Sequence, residues 1–416
     1  MNEHAALSDR FDFYCYETGE RAPFAMTGYP KSAAGAPMSL RFLATPAFEI
    51  LECPPLSMWD YADFLPVAGP ECVVSLEEGA TPLVDAAHLA ERFGFDQVLL
   101  KNEMVNPTGS FKDRQVSVGI SHARELGKDT VAVVSSGNVA CAAAAYAARA
   151  GMRAILLMHG QAGGGKAAQA ASYGATAVRV DEPSAARVFE LCLEACAAFG
   201  WYHLSTAGLY EPFNVEGAKT IAYELYHQTE GELPDWIVAP VGGGGLLGGV
   251  WRGFLDLQRM GVIERMPRMC GVQASGCAPF VKAIEQDTPF LETLEHPWPD
   301  PKTIAGGIAD DIIFDGHTAL PAVRQTGGTA VAVNDEEIMD GLLLLARTEG
   351  LLCEPTCAVV IAALAHLQET AGGARVCCLL TGNGVKDIAT VSRHVAEPKT
   401  IPAEMEELRR IAEGAA

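Results

Sequence analysis

This sequence predicts an α/β fold of parallel-rich sheets flanked by helices, and three observations carry that reading. From Glu77 onward, short apolar runs alternate with Ala- and Leu-rich stretches of helical period, the pattern of strand–helix crossovers. The 416 residues are 49% hydrophobic and 20% charged, enough to bury sizeable cores and too apolar for disorder. The glycine- and hydroxyl-rich segments fall just after predicted strands, where open parallel sheets place their ligands.

Residues 1–76 read as an irregular extension, because Pro23, Pro30, Pro37, Pro46, Pro54, Pro55, Pro66 and Pro70 preclude long helices there. Strands are predicted at 98–101, 131–135, 154–158, 177–180, 236–241, 269–273, 329–333 and 376–381. Helices are predicted between them at 112–126, 139–150, 166–173, 185–199, 215–229, 246–260, 335–349 and 356–369. A length prior of about 150 residues per domain suggests two or three domains.

Charge narrows the partners. Lys plus Arg number 30 against 52 Asp plus Glu, a formal charge of −22, which disfavours nucleic acid and anionic membrane surfaces. A small anionic ligand still fits, since one local positive site can oppose the global field. The twelve cysteines lie largely in apolar stretches without CxxC pairs or nearby His at zinc spacing, so they read as small buried hydrophobes and no metal is expected. Residues 1–10 lack a basic and apolar leader pattern, and no run of about 18 apolar residues occurs. A soluble cytoplasmic protein is expected.

Four loops carry the chemistry. In Asn106-Pro107-Thr108-Gly109-Ser110-Phe111-Lys112-Asp113-Arg114 a turn leads into a helix with Lys112 in its first turn. The helix dipole disfavours a cation there, which helps lower an amine's pKa; a solvated surface lysine would also fit. Ser135-Ser136-Gly137-Asn138 follows an apolar strand and suits either an N-cap or a carboxylate site built on orphan N–H groups. Gly242-Gly243-Gly244-Gly245 follows another strand; glycines there let several N–H groups converge on a phosphate, or simply make a flexible connector. It is neither a Walker loop nor a dinucleotide fingerprint. Last, Thr381-Gly382-Asn383-Gly384 closes a strand with a hydroxyl. The run Gly163-Gly164-Gly165-Lys166 reads as a loop before a helix.

In this order the loops resemble the threonine synthase family of pyridoxal-phosphate enzymes, of the tryptophan-synthase-β-like type (fold type II), over about residues 77–393. Pro107 to Arg114 is the most specific element, joined by Glu216-Gly217-Ala218-Lys219-Thr220 and Glu354-Pro355-Thr356-Cys357-Ala358. The resemblance implies a two-lobed lyase that joins pyridoxal phosphate to Lys112 as a Schiff base. It implies a larger domain of 77–116 and 206–416 and a smaller mobile one of 117–205. Gly242, Gly243, Gly244, Gly245 and Leu246 would hold the phosphate, Asn138 the ring hydroxyl and Thr381 the ring nitrogen. Ser135, Ser136 and Lys219 would meet an amino-acid substrate. Such enzymes are often dimers.

Four positions depart from the family pattern, among them Asn383, which replaces the His that follows Thr-Gly. Val139 replaces Thr after Ser-Gly-Asn, and Glu211-Pro212-Phe213-Asn214 replaces an Asn-Pro-x-Arg segment. The phosphate-gripping Arg is therefore absent and Glu211 is expected to repel a phosphate, so the expected outcome is either poor use of O-phosphohomoserine or compensation by another basic residue such as Lys219 or Arg114. The resemblance thus implies conversion of O-phosphohomoserine to threonine. Alternatives are a threonine or serine dehydratase, a phosphoserine-using β-replacement synthase, and a cofactor-binding module without turnover.

Overall fold

The computed structural model describes residues 3–43, 54–159, 164–182 and 184–413. Its strands in chain order are β1 (Phe11–Tyr14), β2 (Arg21–Ala22), β3 (Ser39–Phe42), β4 (Leu83–Asp85), β5 (Gln97–Asn102), β6 (Thr130–Val134) and β7 (Arg153–His159). They continue with β8 (Thr176–Val180), β9 (Tyr202–His203), β10 (Trp236–Pro240), β11 (Arg268–Ala274), β12 (Thr329–Val333) and β13 (Arg375–Leu380).

Two parallel-rich sheets dominate. The larger has the order β12-β11-β10-β13-β5-β4, parallel except for β4 against β5. The smaller has the order β8-β7-β6-β9 and is parallel throughout. Strands covered on both faces need apolar side chains at every position, and β10 and β13 supply them as Trp-Ile-Val-Ala-Pro and Val-Cys-Cys-Leu-Leu. Alternate residues serve different cores: Ile237 and Ala239 join one cluster, Trp236 and Val238 the other. The smaller sheet divides the same way, with Val131 and Val133 on one face and Ala132 on the opposite one.

Helix Lys112–Glu125 is buried along eleven consecutive residues, Asp113 to Ala123. The domain boundary drawn from sequence between residues 116 and 117 lies inside this unbroken helix. Helix Asn138–Ala150 is almost all alanine on its buried side, which permits close packing, and it ends where Gly151 turns left-handed at φ 70°.

The irregular extension expected over 1–76 is corrected by the structure. There β2, β1 and β3 form an antiparallel sheet, with Phe11 opposite Phe42 and Phe13 opposite Leu40. All four are buried against the larger core beside Phe213 and Trp251. Pro23, Pro30 and Pro37 fall between these strands rather than within them, so a count of breakers hid the alternation of Phe-Asp-Phe-Tyr. Helix Gly316–Thr326 was missed for a similar reason, since it contains Pro321. Its buried neighbours Leu320, Ala322 and Val323 hold it in place despite the poor propensity.

The carboxyl ends of β5, β6, β10 and β13 all lead into the singled-out loops. Two backbone hydrogen bonds join two of these loops, Phe111 N–H to Thr381 C=O and Asn383 N–H to Gly109 C=O, each at 3.0 Å, and together they form an antiparallel bridge between Ser110 and Gly382.

Candidate active site

Lys112 is the first residue of its helix, after the N-cap Phe111. Its Nζ donates to Gln115 Oε1 at 3.1 Å and Thr206 Oγ1 at 3.2 Å, and lies 4.6 Å from the Phe111 ring centroid. Burial lowers its pKa to about 8, although Asp310 and Asp315 pull the other way. A usable fraction of free amine therefore exists near neutral pH. Asp113 fixes the preceding turn by accepting from Thr108 N–H at 2.7 Å and Thr108 Oγ1 at 2.6 Å.

Two positions along, about 200° around the helix, Arg114 faces the opposite way. It is fully buried between Glu103 (Nε to Oε2, 2.6 Å) and Glu224 (Nη1 to Oε1, 2.5 Å), and Lys101 Nζ completes the group at 2.6 Å from Glu224 Oε2. This network anchors the helix that carries Lys112.

The glycine loop follows β10, and Gly244 takes φ +99°, which a side chain would strain. The Gly243 N–H donates to the Asp310 carboxylate, and a Cβ on Gly242 would come within 2.6 Å of Asp310 Oδ2. Asp315 donates its N–H to Gly243 C=O at 2.6 Å and accepts from Gly208 N–H at 2.6 Å. Burial raises Asp310 to about 6 and Asp315 to about 7. Leu246 is buried in the first turn of helix Gly245–Arg259.

Ser135 and Ser136 lie half-buried on the loop after β6, where Ser135 Oγ accepts from Gly137 N–H at 3.2 Å. Asn138 donates its Nδ2 to Glu354 Oε2 at 2.8 Å, and its buried Oδ1 has no partner. Ser110 Oγ and Gln115 Nε2 are likewise buried without partners. Thr381 ends β13 with 4% exposure. Lys112 thus lies near Asp310 and Asp315, which both touch the glycine loop, and Asn138 meets Glu354 and Gly382 beside Thr381.

Three expectations about the substrate side fail. Lys219 is not at the cleft: it is 1% exposed and paired with Glu216 at 3.1 Å and Asp256 at 2.5 Å. Arg114 is consumed by Glu103 and Glu224. Glu211 does not repel a ligand, because its buried carboxylate accepts from Phe213 N–H (3.2 Å) and Asn214 N–H (2.6 Å). Asn214 in turn donates to Ser205 C=O at 2.6 Å. The family resemblance placed these side chains near the substrate; their local hydrogen bonds and ion pairs turn them inward.

Sequence reasoning missed Gln115, Thr206, Asp310, Asp315 and the partnership of Glu354 with Lys166. Asp310 and Asp315 lie outside every predicted element, and Glu354 was noticed only within its Glu-Pro motif. Among the described residues no His, Cys, Asp or Glu cluster is arranged for a metal ion, and no helix is long and apolar enough to cross a membrane.

Comparison with known proteins agrees with the geometry. Residues 74–382 match the family profile of pyridoxal-phosphate dependent enzymes. The threonine synthase of Methanocaldococcus jannaschii is 38% identical over 363 residues, 86% of this chain and 87% of that protein. That of Mycobacterium tuberculosis H37Rv is 36% identical over 350 residues, 83% and 92% of the two chains. Among solved structures, the threonine deaminase of T.th. superposes with a TM-score of 0.63 at 26% identity, covering 73% of this chain and 92% of that one. Maize serine racemase gives 0.64 at 22% identity, covering 76% and 91%, a likeness of fold alone.

Proposed function

This chain belongs to the pyridoxal-phosphate-dependent enzymes of the threonine synthase family, and from that premise we propose that it converts O-phosphohomoserine and water to threonine and phosphate. The observation that carries the proposal is an intact Lys112 cleft in a chain 38% identical to a threonine synthase over 86% of its length. Family membership makes the protein a pyridoxal-phosphate-dependent lyase of fold type II. Eleven free thiols among the described residues suit a cytoplasmic location.

The residues fit that cofactor. The Asp310 carboxylate on Gly243 N–H behaves as an anion's oxygen on the loop, so the loop accepts negative charge. Gly242 to Gly245 and Leu246 would hold the phosphate, Asn138 the ring oxygen, and Thr381 the ring nitrogen. When bound, the cofactor supplies an electron sink for the amino acid's Cα. Thr381, a neutral hydroxyl, cannot hold a ring proton by ion pairing, which moderates that sink and favours loss of a leaving group over transamination. Lys112, with its pKa near 8, holds the cofactor and then carries protons on Nζ. Ser135, Ser136 and the N–H groups opening helix Asn138–Ala150 would bind the substrate carboxylate. With Lys219 and Arg114 occupied, Lys386, whose Nζ donates to Thr108 C=O at 2.5 Å, would be a cation for the substrate phosphate.

One observation favours a second reading. Asp310 and Asp315 lie close enough to Lys112 to influence it, and no arginine stands at position 214. A dianionic substrate is disfavoured by that arrangement, whereas dehydration of threonine or serine is not. Purified cofactor-loaded protein should be given O-phosphohomoserine, threonine, serine and O-phosphoserine in parallel. Threonine and phosphate released from phosphohomoserine at the highest kcat/KM is the expected result. Ketoacid formation from threonine or serine, with phosphohomoserine inert, would overturn the proposal.

A further inference from the structure

We propose that Glu354 is a positioning residue that sets the orientation of the Asn138 amide, with Lys166 balancing its charge from the other sheet. The inference rests on the reading of Asn138 as the contact to the cofactor's ring oxygen.

Glu354 sits at the N-cap of helix Pro355–Ala371, yet its side chain does not cap that helix. Its backbone is held in place by its N–H to Gly382 C=O at 2.9 Å. The carboxylate is 3% exposed and reaches across the cleft: Oε2 accepts from Asn138 Nδ2 at 2.8 Å, and Oε1 lies 2.7 Å from Lys166 Nζ. Asn138 and Lys166 belong to helices beside the smaller sheet, whereas Glu354 and Gly382 belong to the larger sheet's side. Gly382 makes the crossing feasible, because a Cβ there would overlap the Glu354 carboxylate and stand 3.3 Å from Asn138 Nδ2.

An ionised carboxylate only accepts, so the amide nitrogen, not its oxygen, must face Glu354. At the opposite end Asn138 Oδ1 is buried with no donor, so the orientation is imposed by Glu354 rather than chosen locally. One Nδ2 hydrogen is engaged by Glu354, and the second is left for the ring oxygen. A charged acceptor on the first strengthens donation by the second. Replacing the carboxylate by an amide would let Asn138 turn over, since glutamine offers a donor to Oδ1 as readily as an acceptor to Nδ2.

The test is a double-mutant cycle read on cofactor binding without turnover. Dissociation constants for pyridoxal phosphate and the position of its visible band are measured for the parent, Glu354→Gln, Asn138→Ala and the double variant. Lys166→Met, on a partly exposed lysine, serves as a second probe should Glu354→Gln fail to fold. About tenfold weaker binding and a displaced band are expected for Glu354→Gln, with a smaller change of the same kind for Lys166→Met. Both should change binding less than about twofold when Asn138 is already alanine. Equal effects of Glu354→Gln in both backgrounds, or none in either, would overturn the positioning role. If Asn138→Ala alone leaves affinity and band unchanged, the reading of Asn138 itself fails and this inference with it.

Discussion

The two faces of helix Lys112–Glu125 carry buried charge in opposite states. Behind it, two cations (Lys101 and Arg114) meet two anions (Glu103 and Glu224), and all four side chains are fully buried in mutual contact. Burial alone would raise Glu224, but Arg114 and Lys101 outweigh it and hold it at about 2. In front, Lys112 faces Asp310 and Asp315, which burial holds near 6 and 7. Three polar atoms there, on Ser110, Gln115 and Asn138, are buried without partners. Buried polar groups in a self-sufficient fold are satisfied. The rear cluster meets that standard and serves stability; the front leaves both donors and acceptors for a ligand.

Five experiments press on this contrast. Lys112→Ala should lose activity by about a thousandfold or more, because the attachment and proton-carrying roles disappear together. It should leave the unfolding midpoint nearly unchanged. Borohydride reduction of the parent and peptide mapping should place the cofactor tag on Lys112; a tag on Lys101 would reverse the assignment of the two faces. Arg114→Met should do the opposite, costing about 3–5 kcal/mol in urea unfolding by stranding the buried Glu103 carboxylate and leaving Glu224 with Lys101 alone. A loss below about 1 kcal/mol would show the rear network to be dispensable.

Gly243→Val should weaken cofactor binding by roughly tenfold to a hundredfold, or about 1.4–2.8 kcal/mol, as its side chain meets Phe314 within 3.1 Å. Equal affinity in the variant would move the phosphate elsewhere. The smallest effect concerns pH. Asp315, held near 7 when folded and near 3.9 when unfolded, subtracts stability above pH 7, and that penalty fades as pH falls toward 4. Glu224, held near 2 against an unfolded value near 4.3, adds stability above that value and loses it as pH falls to 2. Asp315→Asn should therefore stabilise the cofactor-free protein at pH 8, by on the order of 1 kcal/mol or a few degrees in Tm, and do nothing at pH 4. A destabilised variant at pH 8 would remove Asp315 from the unsatisfied face.

The sequence made the large sheets legible because their strands are continuous apolar runs. It also made the cleft loops legible, because glycine and hydroxyl residues are uncommon just where such runs end. The N-terminal sheet was obscured by prolines lying between its strands. Lys219, Glu211 and Asn214 were misplaced because a matching motif fixes which segment a residue occupies, whereas ion pairs with Glu216 and Asp256, or a hydrogen bond to Ser205, fix where its side chain goes. Asp310 and Asp315 gave no signal, since one carboxylate in an irregular segment resembles any other until the fold buries it.

The last-made strand of the larger sheet sits in its middle. Strand β13 pairs with β10 on one side and β5 on the other, so the sheet stays in two pieces with open edges until residues 375–380 leave the ribosome. Lys112 is synthesised early, but Thr381 arrives on the far end of that closing strand. A nascent chain cannot assemble both ends of its ligand site until this strand inserts, and acquisition of the cofactor becomes a marker of completed synthesis. Yellow colour should develop late, after most helical signal, when the denatured protein is refolded with pyridoxal phosphate.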